Sequence, residues 1–191
     1  MKIAIIDNYD SFVYNLVRYI RENESVQETT VMRNDEVDFA LLEQCDGILL
    51  SPGPGIPSEA GSLFEVLETF AKKKSILGIC LGHQALVEFY GGTLEHAPEI
   101  MHGKASSIQI DNAHFLFSTL DKEIQVGRYH SWQVNVSLPA ELISVARFGN
   151  QVMGVCHKDY KNYGLQFHPE SVLTPEGRKI INNWIASCKQ H

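Results

Sequence analysis

Short apolar runs alternate with stretches of helical spacing through the first half of the chain. Ile3–Ile6 is wholly apolar and closed by Asp7-Asn8, which predicts a strand buried on both faces. From about Ser11, Phe12, Leu16, Tyr19 and Ile20 recur at helical spacing, with Asp10 or Ser11 as the expected N-cap. Thr29–Met32 predicts a second strand, Val37–Gln44 a short helix, and Gly47–Leu50 a third strand stopped by Ser51-Pro52-Gly53-Pro54-Gly55. A helix over Ser62–Ala71 leads to a fourth strand, Ser75–Ile79. The next helix, about Leu81 to Tyr90, meets a natural stop at Gly91-Gly92.

This β-α-β-α order predicts an α/β fold: a single domain over residues 1–191, with a mostly parallel sheet covered by helices on both faces. Ligands of such sheets bind beyond the carboxyl ends of the strands, so the loops after Ile6, Leu50 and Ile79 are expected at one rim. The second half reads differently. Gly103–Ile110, Ile124–Tyr129, Leu142–Phe148, Val152–His157 and Tyr163–Phe167 are strand-like, some extending the main sheet and others forming a small additional antiparallel one. Pro175–Cys188 reads as a closing helix with Pro175 in its first turn.

Charge and cysteine usage narrow the function classes. The net charge is -7 and the only basic block is Lys72-Lys73-Lys74, which suits a solvated helix end and argues against nucleic acid as the main partner. The apolar run at residues 3–6 is too short for a signal peptide or a membrane span, so a reducing cytoplasm and free thiols are expected. Cys45, Cys80, Cys156 and Cys188 contain no C-x-x-C pair. His83, His96, His102, His114, His130, His157 and His191 are scattered without ligand spacing, so no metal site is expected.

One cysteine stands apart. Gly78-Ile79-Cys80-Leu81-Gly82 has the form G-x-C-x-G at a strand-to-helix junction. It follows the logic of the nucleophile elbow, where the turn is so sharp that small residues must flank the nucleophile. The sulfur would sit at a helix start, where free N–H groups and the helix dipole favour the thiolate. The pentapeptide alone equally allows a small buried cysteine in a βα turn.

Gln166-Phe167-His168-Pro169-Glu170-Ser171 supplies the matching signal. A thiol nucleophile needs a base within reach and a third group to fix that base. If the segment is extended, His168 and Glu170 project to one side. A surface H-P-E turn is the plainer alternative, and it weakens once a G-x-C-x-G elbow is present. Ser51-Pro52-Gly53-Pro54-Gly55 ends the strand beside that of Cys80. The backbone N–H of Gly53 and of Leu81 are the expected oxyanion donors. A plain tight turn is the other reading of this loop. A phosphate cradle is a third, but the Walker lysine is absent.

Together these elements resemble the triad-type (class I) glutamine amidotransferases over the whole chain, and more closely the small subunits of anthranilate synthase and of 4-amino-4-deoxychorismate synthase. Asp7-Asn8-Tyr9-Asp10-Ser11-Phe12, Pro57-Ser58-Glu59-Ala60-Gly61, Gly82-His83-Gln84-Ala85, Met101-His102-Gly103-Lys104 and Tyr129-His130-Ser131 carry that closer likeness. The resemblance implies a flavodoxin-like fold and a Cys80-His168-Glu170 triad. It implies L-glutamine held by Gly53, Pro54, Gly55, the Gln84 side chain and the backbone of Ser131 and Trp132. Trp132 stands where the family pattern suggests leucine, a change that backbone binding tolerates. The resemblance further implies ammonia transfer to a chorismate-using large subunit, no cofactor in this chain, and Mg2+ on that partner. The Asn8–Phe12 loop and Met101–Lys104 are the expected docking segments.

Within that resemblance Gly55-Ile56-Pro57-Ser58-Glu59 and Gly103-Lys104-Ala105-Ser106-Ser107 lean towards the anthranilate type, in tryptophan biosynthesis. Aminodeoxychorismate synthesis for folate, or service to both partners, is the alternative. Other readings are the same chemistry serving a purine or histidine precursor, a free-standing γ-glutamyl hydrolase or cysteine protease, and a catalytically inactive regulatory subunit.

Overall fold

The computed structural model of the chain describes residues 1–188; His191 and the last residues of the expected domain lie outside them. The parallel half of the sheet consists of β1 (Lys2–Asp7), β2 (Glu28–Arg33), β3 (Gly47–Leu50), β4 (Ser75–Ile79) and β11 (Asn162–Leu165), in the order β2-β1-β3-β4-β11. Four antiparallel strands continue it: β10 (Gln151–His157), β9 (Leu142–Phe148), β6 (Lys104–Ile110) and β7 (Glu123–Arg128). A separate antiparallel pair joins β5 (Leu94–His96) to β8 (Trp132–Val134). The extended main sheet and the small second sheet both match the expectation, except that all five strand-like runs of the second half join the main sheet and none forms the small one. β5 and β8 themselves are short strands that the hydrophobic pattern did not single out.

Alternation along the central strands divides the core between two faces. Ile3, Ile5, Leu49, Leu77 and Ile79 pack under α1 (Val13–Arg21) and α5 (Gly177–Cys188). Ala4, Ile6, Ile48, Leu50 and Ile76 pack under α2 (Phe39–Glu43), α3 (Leu63–Phe70) and α4 (Leu81–Phe89). With both faces covered, these strands are apolar throughout rather than alternating. Among the described residues no helix is long and apolar enough to cross a membrane.

Three local expectations need correction. The N-cap of α1 is Phe12, not Asp10 or Ser11; Asp10 instead accepts the Phe12 N–H through its side chain at 2.8 Å. Pro175 lies in the turn before α5, not in its first helical turn, because the chain first closes a turn from Gly177 N–H to the Thr174 carbonyl at 3.0 Å. The His168–Glu170 segment is not extended. β11 stops at Leu165, and the Ser171 N–H donates to the His168 carbonyl at 3.2 Å, closing a turn with Pro169 second, where proline's fixed φ fits. The lysine run does follow a helix end, with Lys74 Nζ donating to the carbonyls of Glu43 at 2.6 Å and Cys45 at 2.8 Å.

The elbow between β4 and α4 has no room for side chains at its flanking positions. A Cβ on Gly78 would lie 2.3 Å from the Gly82 carbonyl oxygen, and one on Gly82 would lie 2.4 Å from that of Leu50. Both obstacles are backbone atoms that cannot rotate away. Gly82→Ala is therefore expected to destabilise the fold by about 1–3 kcal/mol. Urea unfolding monitored by circular dichroism measures it.

Candidate active site

The carboxyl ends of β1, β3, β4 and β11 bring the sequence-predicted residues to one rim. Cys80 occupies the single position between β4 and α4 with φ 50° and ψ -100°, a region L-residues avoid. Its N–H is held by the Leu165 carbonyl at 2.8 Å, which fixes the elbow to β11. Gly53 packs against Asn8 and the Leu81 side chain, so the loop after β3 lies over the start of α4. Asn8 locks that loop: its N–H donates to Ser51 Oγ and its side chain to the Ser51 carbonyl, each at 2.8 Å.

His168 and Glu170 meet across their turn, with Nδ1 to Oε1 at 2.6 Å and both side chains buried. The backbone of His168 is clamped from two sides. Its N–H donates to the Gly127 carbonyl at 3.0 Å, and its carbonyl accepts from Thr174 Oγ1 at 2.7 Å. Burial opposes a charge on the imidazole, but Cys80 and then Glu170 outweigh it, and the ring holds its proton well above the ordinary histidine range. Nδ1 is taken by Glu170, so Nε2 is the ring nitrogen left over; it is buried and has no hydrogen-bond partner.

Gln84, in the first turn of α4, donates from Nε2 to the Trp132 carbonyl at 2.9 Å. The Ser131 carbonyl accepts from Ala97 N–H at 2.8 Å. The Trp132 ring stacks on His96 with centroids 3.8 Å apart, so the indole is accommodated outside the backbone that faces Gln84. Pro54 and Leu81 line a hollow of about 350 Å³ with Asn8, Asn34 and Glu59. A smaller one of about 90 Å³ opens beside the imidazole, between Phe12, Tyr129, Ser171 and Val172.

Several polar residues of this region were not assigned a role in the site's chemistry from sequence. Burial pushes the Asp10 carboxyl above its usual range; the Phe12 N–H opposes this, and Glu170 adds to it. Its position after a rim strand was the available signal. Arg128 is fully buried, donates from Nε to His130 Nε2 at 3.4 Å, and lies 4.6 Å from the Phe148 ring centre. Burial and then Arg128 bring His130 down to about 4. Burial holds His83 down at about 3. Nothing in the hydrophobic pattern marks Arg128 as buried. Cys45, Cys156 and Cys188 are buried free thiols. Among the described residues no group of three or more His, Cys, Asp or Glu converges as metal ligands would.

This is the geometry of α/β proteins that present a nucleophile on a sharp strand-to-helix turn. The family model for Glutamine amidotransferase class-I matches residues 4–188, and the chain belongs to that family. It is 46% identical over 189 residues to Anthranilate synthase component II of Haloarcula marismortui, covering 95% of this chain and 96% of that protein. It is 41% identical to Anthranilate synthase component 2 of Lactococcus lactis, covering 99% of this chain and 96% of that protein. Bifunctional protein TrpGD of Thermotoga maritima is 45% identical, and there the match covers 96% of this chain but 32% of the longer protein. The crystal structure of a GMP synthase subunit from Thermoplasma acidophilum superposes with a TM-score of 0.87. It shares 30% identity and covers 98% of this chain and 94% of that one.

The depressed histidines make stability depend on pH. Unfolded, each ring takes a proton near 6.5; folded, His83 stays neutral to about 3 and His130 to about 4. Between these limits the unfolded chain binds more protons, so stability falls as pH falls from about 6.5 towards 4. Each ring accounts for about 2 kcal/mol lost by pH 5. His168 acts the other way: its raised value stabilises below 6.5 and is lost as pH rises through the folded value. Denaturant midpoints at pH 7 and pH 5 are expected to differ less in His83→Leu than in the parent.

Proposed function

We propose that this chain is the glutaminase subunit of an anthranilate synthase, hydrolysing glutamine to glutamate and passing ammonia to a chorismate-using partner. The observation that carries the chemistry is the buried His168–Glu170 pair beside a cysteine held on a strained elbow. The near full-length likeness to proteins named Anthranilate synthase component II supports the acceptor.

Cys80 attacks the side-chain amide carbon of glutamine. His168, with its proton held by Glu170, protonates the leaving ammonia, and a γ-glutamyl thioester remains. Water, deprotonated by His168, attacks the thioester; the sulfur leaves as thiolate and glutamate is released. The N–H groups of Gly53 and Leu81 receive the developing oxyanion. The adjacency of Gly53 to Leu81 and the free N–H groups of a first helical turn support that assignment. Gly53, Pro54, Gly55, Gln84, Ser131 and Trp132 form the glutamine pocket, and no step needs a cofactor from this chain. Tyr9 and Phe12, about half exposed, and Ile100, beside Met101, support docking of the partner through the Asn8–Phe12 and Met101–Lys104 segments.

Two measurements test this. Glutamate release is expected to rise when an anthranilate-forming large subunit is added, and to fall at least about a thousandfold in Cys80→Ser. Strong activity unaffected by any partner would instead indicate a free-standing hydrolase. Glu170→Gln removes the charge that sustains the imidazolium. It is expected to lower kcat about 100-fold and to move the alkaline limb of the pH–rate profile towards lower pH. An unmoved limb would remove Glu170 from its role.

A further inference from the structure

One buried side chain touches the sulfur and is not used by the scheme above. Gln166 is fully buried, with Nε2 3.7 Å from Cys80 Sγ and Oε1 3.3 Å from Gln84 Nε2. An amide's oxygen and nitrogen are told apart by their partners, and here the partners decide. The Trp132 carbonyl can only accept, and Gln84 meets it at 2.9 Å, so Gln84 turns its NH2 group there. The same NH2 group faces Gln166, which must answer with its oxygen. The NH2 group of Gln166 is thereby turned to the sulfur as a donor.

The far end of the chain is fixed as well. Arg128 can only donate, so His130 accepts at Nε2 and donates from Nδ1 to the Trp132 carbonyl at 3.0 Å. The Trp132 carbonyl thus receives two donors; reversing Gln84 would set acceptor against acceptor, and reversing Gln166 would set donor against donor.

We propose that Gln166 is a positioning residue of the nucleophile. Its side-chain amide donates to Cys80 Sγ, favours the sulfur as an acceptor, and ties it to the Gln84–Trp132 wall. This rests on Cys80 being the nucleophile. A hydrogen bond to an ionised acceptor is stronger than one to a neutral group, so the donor selects the thiolate over the thiol. Of the titratable groups of the site, His168 faces the sulfur and with Glu170 follows β11, Asp10 lies between β1 and α1, His130 between β7 and β8, and His83 on α4. None of these groups is itself altered by a substitution at Gln166.

The test is the rate of Cys80 alkylation by iodoacetamide from pH 5 to 10, read by peptide mass spectrometry so that Cys45, Cys156 and Cys188 are counted separately. Gln166→Leu is expected to slow alkylation at pH 7 about tenfold and to raise the pH of half-maximal rate. Gln166→Glu, of the same shape, is expected to raise it further by placing a carboxylate against the sulfur. It carries the test if the leucine variant does not fold. A parental profile in either folded variant overturns the proposal. Alkylation needs neither glutamine nor a partner, so it reads Gln166 independently of the acceptor. Glutamate release retained by Cys80→Ser would sink the nucleophile assignment separately.

Discussion

The site is organised by the need to leave β4 and enter α4 within one residue. Ile79 ends the strand and Leu81 begins the helix, so Cys80 must absorb the whole change of direction. A non-glycine residue held in such a conformation costs about 1–3 kcal/mol. Burial of Leu81, Ala85 and Leu86 against Leu50 and Ile76, and the hydrogen bond from Cys80 to Leu165, offset that cost. Because the turn is this tight, the sulfur has one position, and the first turn of α4 is carried in beside it. Gln84 therefore reaches the Trp132 loop from the same helix that presents the thiol.

The rim is polar and buried, and its charges are arranged to keep its hydrogen bonds oriented. Arg128 is paired with the neutral acceptors His130 and Gln151 rather than with a carboxylate. Burial, and then the Arg128 charge, suppress protonation of His130, which must stay neutral to accept at one nitrogen and donate at the other. Across the rim the opposite holds for His168, where Glu170 and Cys80 overcome burial and sustain the proton. Two histidines of one site are thus driven apart, one kept neutral chiefly by burial and one kept charged by its neighbours. Separation of this kind is expected where protons are moved.

Much of this was legible in the sequence, for identifiable reasons. The central strands were visible because burial on both faces forces unbroken apolar runs such as Ile3–Ile6 and Gly47–Leu50. The elbow was visible because backbone crowding admits only glycine at 78 and 82. The H-P-E segment was found for a partly mistaken reason: the side chains meet across a turn, not along an extended strand. Composition cannot distinguish those two backbones when proline suits both. Arg128 carried no local signal, and His130 and Gln166 were read only as members of their motifs, because the chain of contacts that gives these side chains a role joins segments far apart in sequence. Strands β5 and β8 are three residues each, too short for a period to be read.

The two halves of the sheet divide the work, and β11 joins them. The parallel half fixes the Cys80 thiol through β4, and the antiparallel half fixes the imidazole, because β7 supplies the Gly127 carbonyl that holds the His168 backbone. Ile79 pairs with Leu165 in parallel register, so the next residues of the two strands, Cys80 and Gln166, emerge side by side. Two residues further on β11's extension lies His168. A slip of one residue in that register would turn every side chain of the emerging segment to the other face. The geometry between sulfur and imidazole is therefore set by the pairing of two short buried strands. The fold holds that register with apolar residues on both faces of the sheet and with the β4–β11 ladder, which the hydrogen bonds from Ile76 to Lys161 and from Cys80 to Leu165 extend at its two ends.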